Sequence, residues 1–268
     1  MEQQKVFIRA GIVSQTQLSP GIFELILEAP EIAHQAQPGQ FVNLYLNDPS
    51  RLLPRPVSIC EALPQTGILR LVYRVTQKAS GSGTQLLSAY RAGDALDVCG
   101  PLGNGFPLPE TETEGNFCLV GGGIGIPPLI GLGKRIADAG GHVRFVLGYR
   151  GGDLFLAEEA AGYGTLAVST DDGSAGVHGT VTDAIRAYSI LPDVYYACGP
   201  KPMLKGIKEL AAQQSVPAWI SLEERMACGI GACLGCVCRT VQADGHSHVK
   251  NARVCTEGPV FAAQEVVL

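Results

Sequence analysis

The sequence predicts an antiparallel β-barrel, then a parallel α/β domain, then a small cysteine-rich subdomain at the C-terminus. Three observations carry this: short apolar runs broken by turn formers fill residues 1–108, strand and helix patterns alternate from Asn116 onward, and four cysteines gather near the end of the chain. At 268 residues the chain exceeds one typical core and divides as 1–108, 109–217 and 218–268.

In the first part, strands are expected at 5–13, 22–27, 41–46, 57–60, 68–75 and 95–99. Their separators, such as Ser19-Pro20-Gly21, Gln37-Pro38-Gly39 and Arg91-Ala92-Gly93-Asp94, are turn formers. Many short strands at this spacing suggest a small barrel, with one helix over 84–89. The boundary falls in 107–115, after which strands at 117–120, 143–147, 166–170 and 194–198 alternate with helices at 127–139, 181–188 and 202–213. Such alternation places helices on the faces of a parallel sheet. A last strand at 218–222 leads directly into the cysteines.

Charge and composition exclude several roles. Net charge is −5 with only 17% charged residues, so no basic stripe invites nucleic acid or anionic lipid. The N-terminus lacks an apolar signal core, and no apolar run reaches the roughly 18 residues of a membrane span. A cytoplasmic protein with no membrane partner is expected. Of nine cysteines, five lie between 228 and 255, a concentration that in a reducing compartment speaks for metal ligation over disulfides.

Cys228, Cys233 and Cys236 with Cys255 form a C-x4-C-x2-C…C set, the plant-type ligand spacing of a [2Fe-2S] cluster. The spacers Gly229, Gly231, Ala232 and Gly235 carry little side chain, so the loop can wrap tightly and turn amide N–H groups toward sulfur. Structural zinc is the rival, although zinc ribbons usually pair two C-x2-C knuckles instead of three clustered cysteines and a distant fourth. Cys238 could compete as a ligand or be a small buried residue on a strand. The polar stretch 244–248 reads as a surface loop in the gap before Cys255.

Gly121-Gly122-Gly123-Ile124-Gly125 stands at a strand-to-helix junction, where glycine lets the backbone approach a pyrophosphate at a helix N-terminus. A strict dinucleotide signature would need glycine where Ile126 stands, and a tight turn alone could explain the run. Arg55-Pro56-Val57-Ser58 enters a strand with a guanidinium and a hydroxyl suited to phosphate, or with an ordinary rim arginine. Together with Val72, Tyr73, Arg74, Gly83 and Thr84 it could hold an extended flavin dinucleotide. Cys198-Gly199-Pro200 ends a strand at the carboxyl edge of the sheet, so Cys198 could line a nicotinamide site or be a buried small residue.

The order of these motifs resembles the ferredoxin-NADP reductase superfamily, which pairs an FAD-binding barrel with a pyridine-nucleotide domain. Arg55 to Ser58, Gly103-Asn104-Gly105-Phe106-Pro107, the run 222–226 and the cysteine set look more closely like the electron-transfer subunits of class 1B dihydroorotate dehydrogenases. That resemblance implies that Arg55, Pro56, Val57, Ser58, Val72, Tyr73, Arg74, Gly83 and Thr84 bind FAD. It implies that Cys228, Cys233, Cys236 and Cys255 hold the cluster, and that Gly121, Gly122, Gly123, Gly125, Cys198, Gly199 and Pro200 border an NAD site. Asp172-Gly173-Ser174 is a further candidate there, while Arg150 could favour NADP although the resemblance implies NAD. The implied partner is an FMN-containing dihydroorotate dehydrogenase subunit in a heterotetramer with two copies of each chain. Electrons would pass from its FMN through the cluster and FAD to NAD+. The alternatives are a flavin and iron-sulfur subunit of a hydrogenase, sulfide dehydrogenase or ferredoxin reductase, and a zinc-stapled nucleotide sensor.

Overall fold

The computed structural model describes residues 4–75, 81–108, 114–243 and 248–268. The expected boundary at 107–115 and the expected loop at 244–248 therefore lie partly outside the described residues. Six strands close the barrel: β1 (Val6–Ser19), β2 (Ile22–Glu28), β3 (Phe41–Tyr45), β4 (Arg55–Leu63), β5 (Ile68–Arg74) and β6 (Ala95–Leu102), in the order β1-β2-β5-β4-β3-β6. Alternation builds it. Leu25, Leu27, Val42, Leu44, Leu69, Leu71, Leu96 and Val98 point inward and are fully buried, while their neighbours face outward. Two short helices, α1 (Pro30–Ala33) and α2 (Gly83–Leu87), sit on loops, the second capped by the Ser82 hydroxyl.

The second part is a seven-stranded sheet. In chain order it runs β7 (Asn116–Gly122), α3 (Pro127–Asp138), β8 (His142–Tyr149), α4 (Ala157–Tyr163), β9 (Thr165–Thr170), β10 (Val177–His178), α5 (Val181–Ala187), β11 (Val194–Cys198), α6 (Lys201–Gln214) and β12 (Ala218–Ser221). Strand order is β10-β9-β8-β7-β11-β12-β15, where β15 (Val260–Ala262) adds antiparallel to β12. The chain winds outward from β7 on one side and then crosses to β11 on the other. Open α/β sheets bind ligands at such a switch point, outside the carboxyl ends of the strands.

Between β12 and β15 lie the cysteine loop and a small ribbon, β13 (Val237–Arg239) paired with β14 (Asn251–Arg253). Residues 218–221, expected in the cluster subdomain, are thus a strand of the main sheet, and the chain returns to that sheet after the cysteines. Among the described residues no helix is long and apolar enough to cross a membrane.

The barrel and the sheet lock together through α3 and α4. A Cβ on Gly131 would meet the Cys60 carbonyl at 2.5 Å, so α3 rests directly on β4. Beside it the Arg70 guanidinium bonds Glu24 of β2 at 2.7 Å and Glu159 of α4 at 2.5 and 2.8 Å, with Glu61 of β4 at 3.8 Å. Lys134 of α3 completes the group on Glu61.

Candidate functional site

The cysteine loop leaves β12 and turns back through residues of left-handed backbone: Gly229, Gly231 and Leu234 have φ of +65°, +93° and +56°. A side chain on Gly231 would strike Thr256 at 2.6 Å, so the wrapping expected from the glycine spacers is sterically enforced here. The amides turn toward sulfur as expected. Gly235 N–H donates to the Cys233 Sγ and Cys255 N–H to the Cys236 Sγ, each at 3.4 Å.

The four thiols gather as two contacting pairs. Cys228 interacts with Cys233 on the outer side, and Cys255 with Cys236, both buried, on the inner. Burial pushes the Cys228 thiol up, yet hydrogen bonds from the Ile230, Cys233 and Ala232 amides and from the Cys233 side chain bring it down to about 6. The inner Cys255 is pushed up to about 12 by burial and then by its contacts with Cys236. A binuclear cluster, whose two irons each take two protein ligands, fits paired thiols better than tetrahedral zinc does. Cys238 lies apart, buried on β13 against the core, with its thiol raised by that burial.

Arg55 opens β4 and lies against α2. A Cβ on Gly83 would fall 1.8 Å from its Nε, so the guanidinium rests on bare backbone, and residues far apart in sequence meet as expected. Pro56 is exposed and Ser58 half-buried, whereas Val57 points into the barrel core and offers a ligand only its backbone. Tyr73 likewise offers a ligand only its backbone. It is 3% exposed inside the barrel, stacks on Phe23 and donates its hydroxyl to Gln15, so its ring is not presented to a flavin. Val72 and Arg74, on the opposite side of β5, face outward toward the sheet domain.

There a cleft of ≈ 860 Å³ opens between the two domains. Arg74 and Ile22 line it from the barrel; Gly122, Gly123, Gly125, Gly199 and Pro200 line it from the ends of β7 and β11. Arg74 Nη2 lies 3.9 Å from where a Gly123 side chain would begin, so β5 and the glycine turn share one wall. Gly125 is required for closeness: a Cβ would meet the Cys198 carbonyl oxygen at 2.3 Å. Gly121 fills no such wall, being packed against Ile126 and Leu147 beneath the turn. Thr84 stays on α2 beside Ser82. Cys198 is buried, its thiol raised to about 12 by burial and neighboured by Ser221 and Glu223.

Several residues of the cleft escaped the sequence reading. Glu223 projects into it from just beyond β12, and Tyr149, Asp171, Thr180 and Met203 line it. The Ser169 hydroxyl, also on the wall, is buried and has no hydrogen-bond partner among the described residues. Their common signal was available: each lies at or just past the carboxyl end of a strand of the parallel sheet, or at the start of the helix that follows. Asp172-Gly173-Ser174 is instead a self-satisfied turn, with Ser174 N–H and hydroxyl both on the Asp172 carboxylate. Arg150 lines the cleft, but in company with the carboxylates of Asp153 and Asp171.

The comparisons with known proteins agree with this anatomy. Residues 9–106 match the family described as oxidoreductase FAD-binding domain, and residues 223–267 the family described as iron-sulfur cluster binding domain of dihydroorotate dehydrogenase B. Over 97% of its length the chain is 44% identical to the dihydroorotate dehydrogenase B (NAD(+)) electron transfer subunit of Shouchella clausii, covering 98% of that protein. The corresponding subunit of Bacillus velezensis is 42% identical over 96% of the chain and 97% of its own. Among solved structures, one from NADH-dependent reduced ferredoxin-NADP oxidoreductase superposes with a TM-score of 0.82 at 33% identity, over 96% of this chain and 89% of that one. A ferredoxin NADP+ reductase from Neisseria gonorrhoeae shares the fold, with a TM-score of 0.65 at 16% identity over 82% of this chain and 94% of that one.

Barrel, switch-point cleft and cysteine loop together define an FAD-binding, iron-sulfur oxidoreductase of the ferredoxin-NADP reductase fold. Within that class, the chain belongs to the family of dihydroorotate dehydrogenase B (NAD(+)) electron transfer subunits.

Proposed function

We propose that this chain is the electron-transfer subunit of an NAD-dependent dihydroorotate dehydrogenase of pyrimidine biosynthesis. It works in the cytoplasm beside an FMN-containing catalytic subunit, in a heterotetramer with two copies of each. When bound, FAD and a [2Fe-2S] cluster convert single electrons into hydride exchange with NAD+, a conversion no side chain supplies.

The chain's own groups hold and orient. Arg55, resting on Gly83, supplies charge-assisted hydrogen bonds to the FAD phosphates, with Thr84 and the α2 amides beside it and Ser58 and the backbone of 56–57 and 72–74 along the dinucleotide. Cys228, Cys233, Cys236 and Cys255 would hold the cluster, with Cys228 and Cys233 the more exposed of the four. Gly123, Gly199 and Pro200 let NAD approach the strand ends, where Arg74 and Glu223 close the wall, exclude water and orient the nicotinamide. The acidic pair Asp153 and Asp171 beside Arg150 disfavours the 2′-phosphate of NADP.

One observation carries this reading: a single chain joins the flavin-binding strands β4 and β5 to both a nucleotide cleft, through Arg74 of β5, and a paired-thiol loop, through β3, the neighbour of β4. The alternative, a subunit of a flavin-based bifurcating enzyme, has the 0.82 structural match in its favour. Against it stand the higher identity of the dihydroorotate dehydrogenase subunits, 44% against 33%, and the description of the matched cluster-binding family. The deciding experiment mixes the anaerobically purified chain with its cognate FMN-containing subunit. Dihydroorotate-dependent reduction of NAD+ is expected, and bound zinc without sulfide, or no bleaching of the flavin by NADH, would sink the reading.

A further inference from the structure

We propose that Asn43 is a positioning residue for the cluster: its side-chain amide fixes the Cys228 end of the cysteine loop onto β3, beside β4, the flavin strand that begins with Arg55. The proposal rests on the reading of the four cysteines as [2Fe-2S] ligands.

Strand β3 has two faces. Val42 and Leu44 point into the barrel, while Phe41, Asn43 and Tyr45 point out and form the seat on which the cysteine loop lies; Phe41 packs in the same core as Leu222, Cys236 and Cys255. Asn43 supplies the amide of this seat, is 0% exposed and also meets the Tyr45 hydroxyl. Its Nδ2 donates to the carbonyl oxygen of Cys228 at 3.0 Å, across 185 positions of sequence. The next residue, Gly229, closes onto the same amide so tightly that a Cβ would fall 2.4 Å from Nδ2. In the β3–β4 ladder Asn43 stands opposite Pro56, inside the Arg55 to Ser58 segment. One ladder rung and one hydrogen bond therefore separate the flavin strand from the first cysteine.

A packing role alone does not explain an amide here. An apolar side chain would fill the seat without burying a polar group, whereas the Asn43 Oδ1 is buried with no partner, a lasting desolvation cost. What asparagine adds is the donor. With Cys228 held by its backbone, its sulfur and the neighbouring amides keep one orientation, and amides aimed at sulfur help to set a cluster's potential.

The test uses the full chain, purified anaerobically, with Asn43→Asp and Asn43→Leu. Aspartate keeps the shape but turns an oxygen onto the Cys228 carbonyl; leucine keeps the approximate volume and removes the bond. Flavin content and the rate of flavin bleaching by NADH should stay within about twofold of the unaltered chain, while the bound cluster should be lost in air about tenfold faster, as expected for one buried hydrogen bond. The electron paramagnetic resonance spectrum and the midpoint potential of the reduced cluster should shift as well. Unchanged spectrum, potential and lifetime in both variants would overturn the proposal. So would joint loss of FAD and cluster, which marks a general folding role. Absence of iron and sulfide from the unaltered chain would instead refute the cysteine reading itself.

Discussion

Gly83 is the residue at which one methyl group should be read out as flavin affinity. A Cβ there would lie 1.8 Å from the Arg55 Nε and 2.6 Å from its Nη2, so the guanidinium must swing away. Because the displaced atoms end a flexible side chain, the fold should survive. Gly83→Ala is expected to weaken FAD binding about tenfold or more, the worth of one charge-assisted hydrogen bond, at a nearly unchanged melting temperature of the flavin-free chain. Equilibrium flavin titration with calorimetry checks both, and unaltered affinity would remove Arg55 from the phosphate site. At this scale the gathering of the cysteines was legible because it depends on residue type and spacing, whereas Gly121, expected at the nucleotide, packs beneath the turn against Ile126 and Leu147. The burial of the Tyr73 ring went unread because chemistry outweighed periodicity. The alternation of Leu69, Leu71 and Tyr73 on one face of β5 already assigned it to the core, opposite Arg70 and Arg74. Glu223 was missed for the opposite reason, since its meaning depends on where the end of β12 comes to rest.

Among the elements, α4 carries a contact that bears on nicotinamide binding. Glu159 accepts two hydrogen bonds from Arg70 across the domain boundary, and the half-buried guanidinium keeps Glu24 as a partner if they are removed. Glu159→Ala should therefore cost about 1–3 kcal/mol, short of the penalty for an isolated buried charge. The cleft is bounded by the two domains that this pair ties together, so a raised KM for NADH is expected at an FAD affinity within about twofold of the unaltered chain. Stopped-flow bleaching of the flavin by NADH measures it; a lowered melting temperature with unchanged NADH kinetics would confine the pair to stability. Elements of strong pattern were foreseen, including every barrel strand and the five consecutive sheet strands β9-β8-β7-β11-β12. Strand β1 extends to Ser19 through the polar run after Val13, because bulges between Ile12 and Ser14 and between Gln17 and Ser19 bend it around the barrel with its polar side outward. Helix α4 and strand β15 went unseen, being short segments that acquire their identity from the sheet they join.

For the molecule as a whole, the path of the chain around the cysteines governs what the cluster stabilises. Leu222 N–H donates to the Pro259 carbonyl at 2.8 Å, so the excursion that carries the cysteines begins and ends at one point on the sheet. Its far end is held twice more, by pairing of β15 with β12 and by Asn104, whose amides bond the Gly258 and Glu257 carbonyls at 2.6 and 2.9 Å. With both ends anchored, disorder inside the excursion costs the barrel and sheet little, because closing the loop is already secured by contacts outside it. Metal ligation then contributes folding energy locally. Chelation of the iron should accordingly open the region between Glu223 and Glu257 to proteolysis and hydrogen exchange, while FAD affinity and bleaching by NADH stay within about twofold of the loaded chain. Exchange mapped by mass spectrometry before and after chelation measures the first, and flavin absorbance the second. If protection is lost equally across β7, β11 and the barrel strands, the three parts unfold as one unit and the cluster is a keystone of the whole fold. If protection is lost only within the excursion, the chain can acquire its flavin before its cluster, and assembly with the catalytic partner becomes the step at which an empty cysteine loop is exposed to rejection.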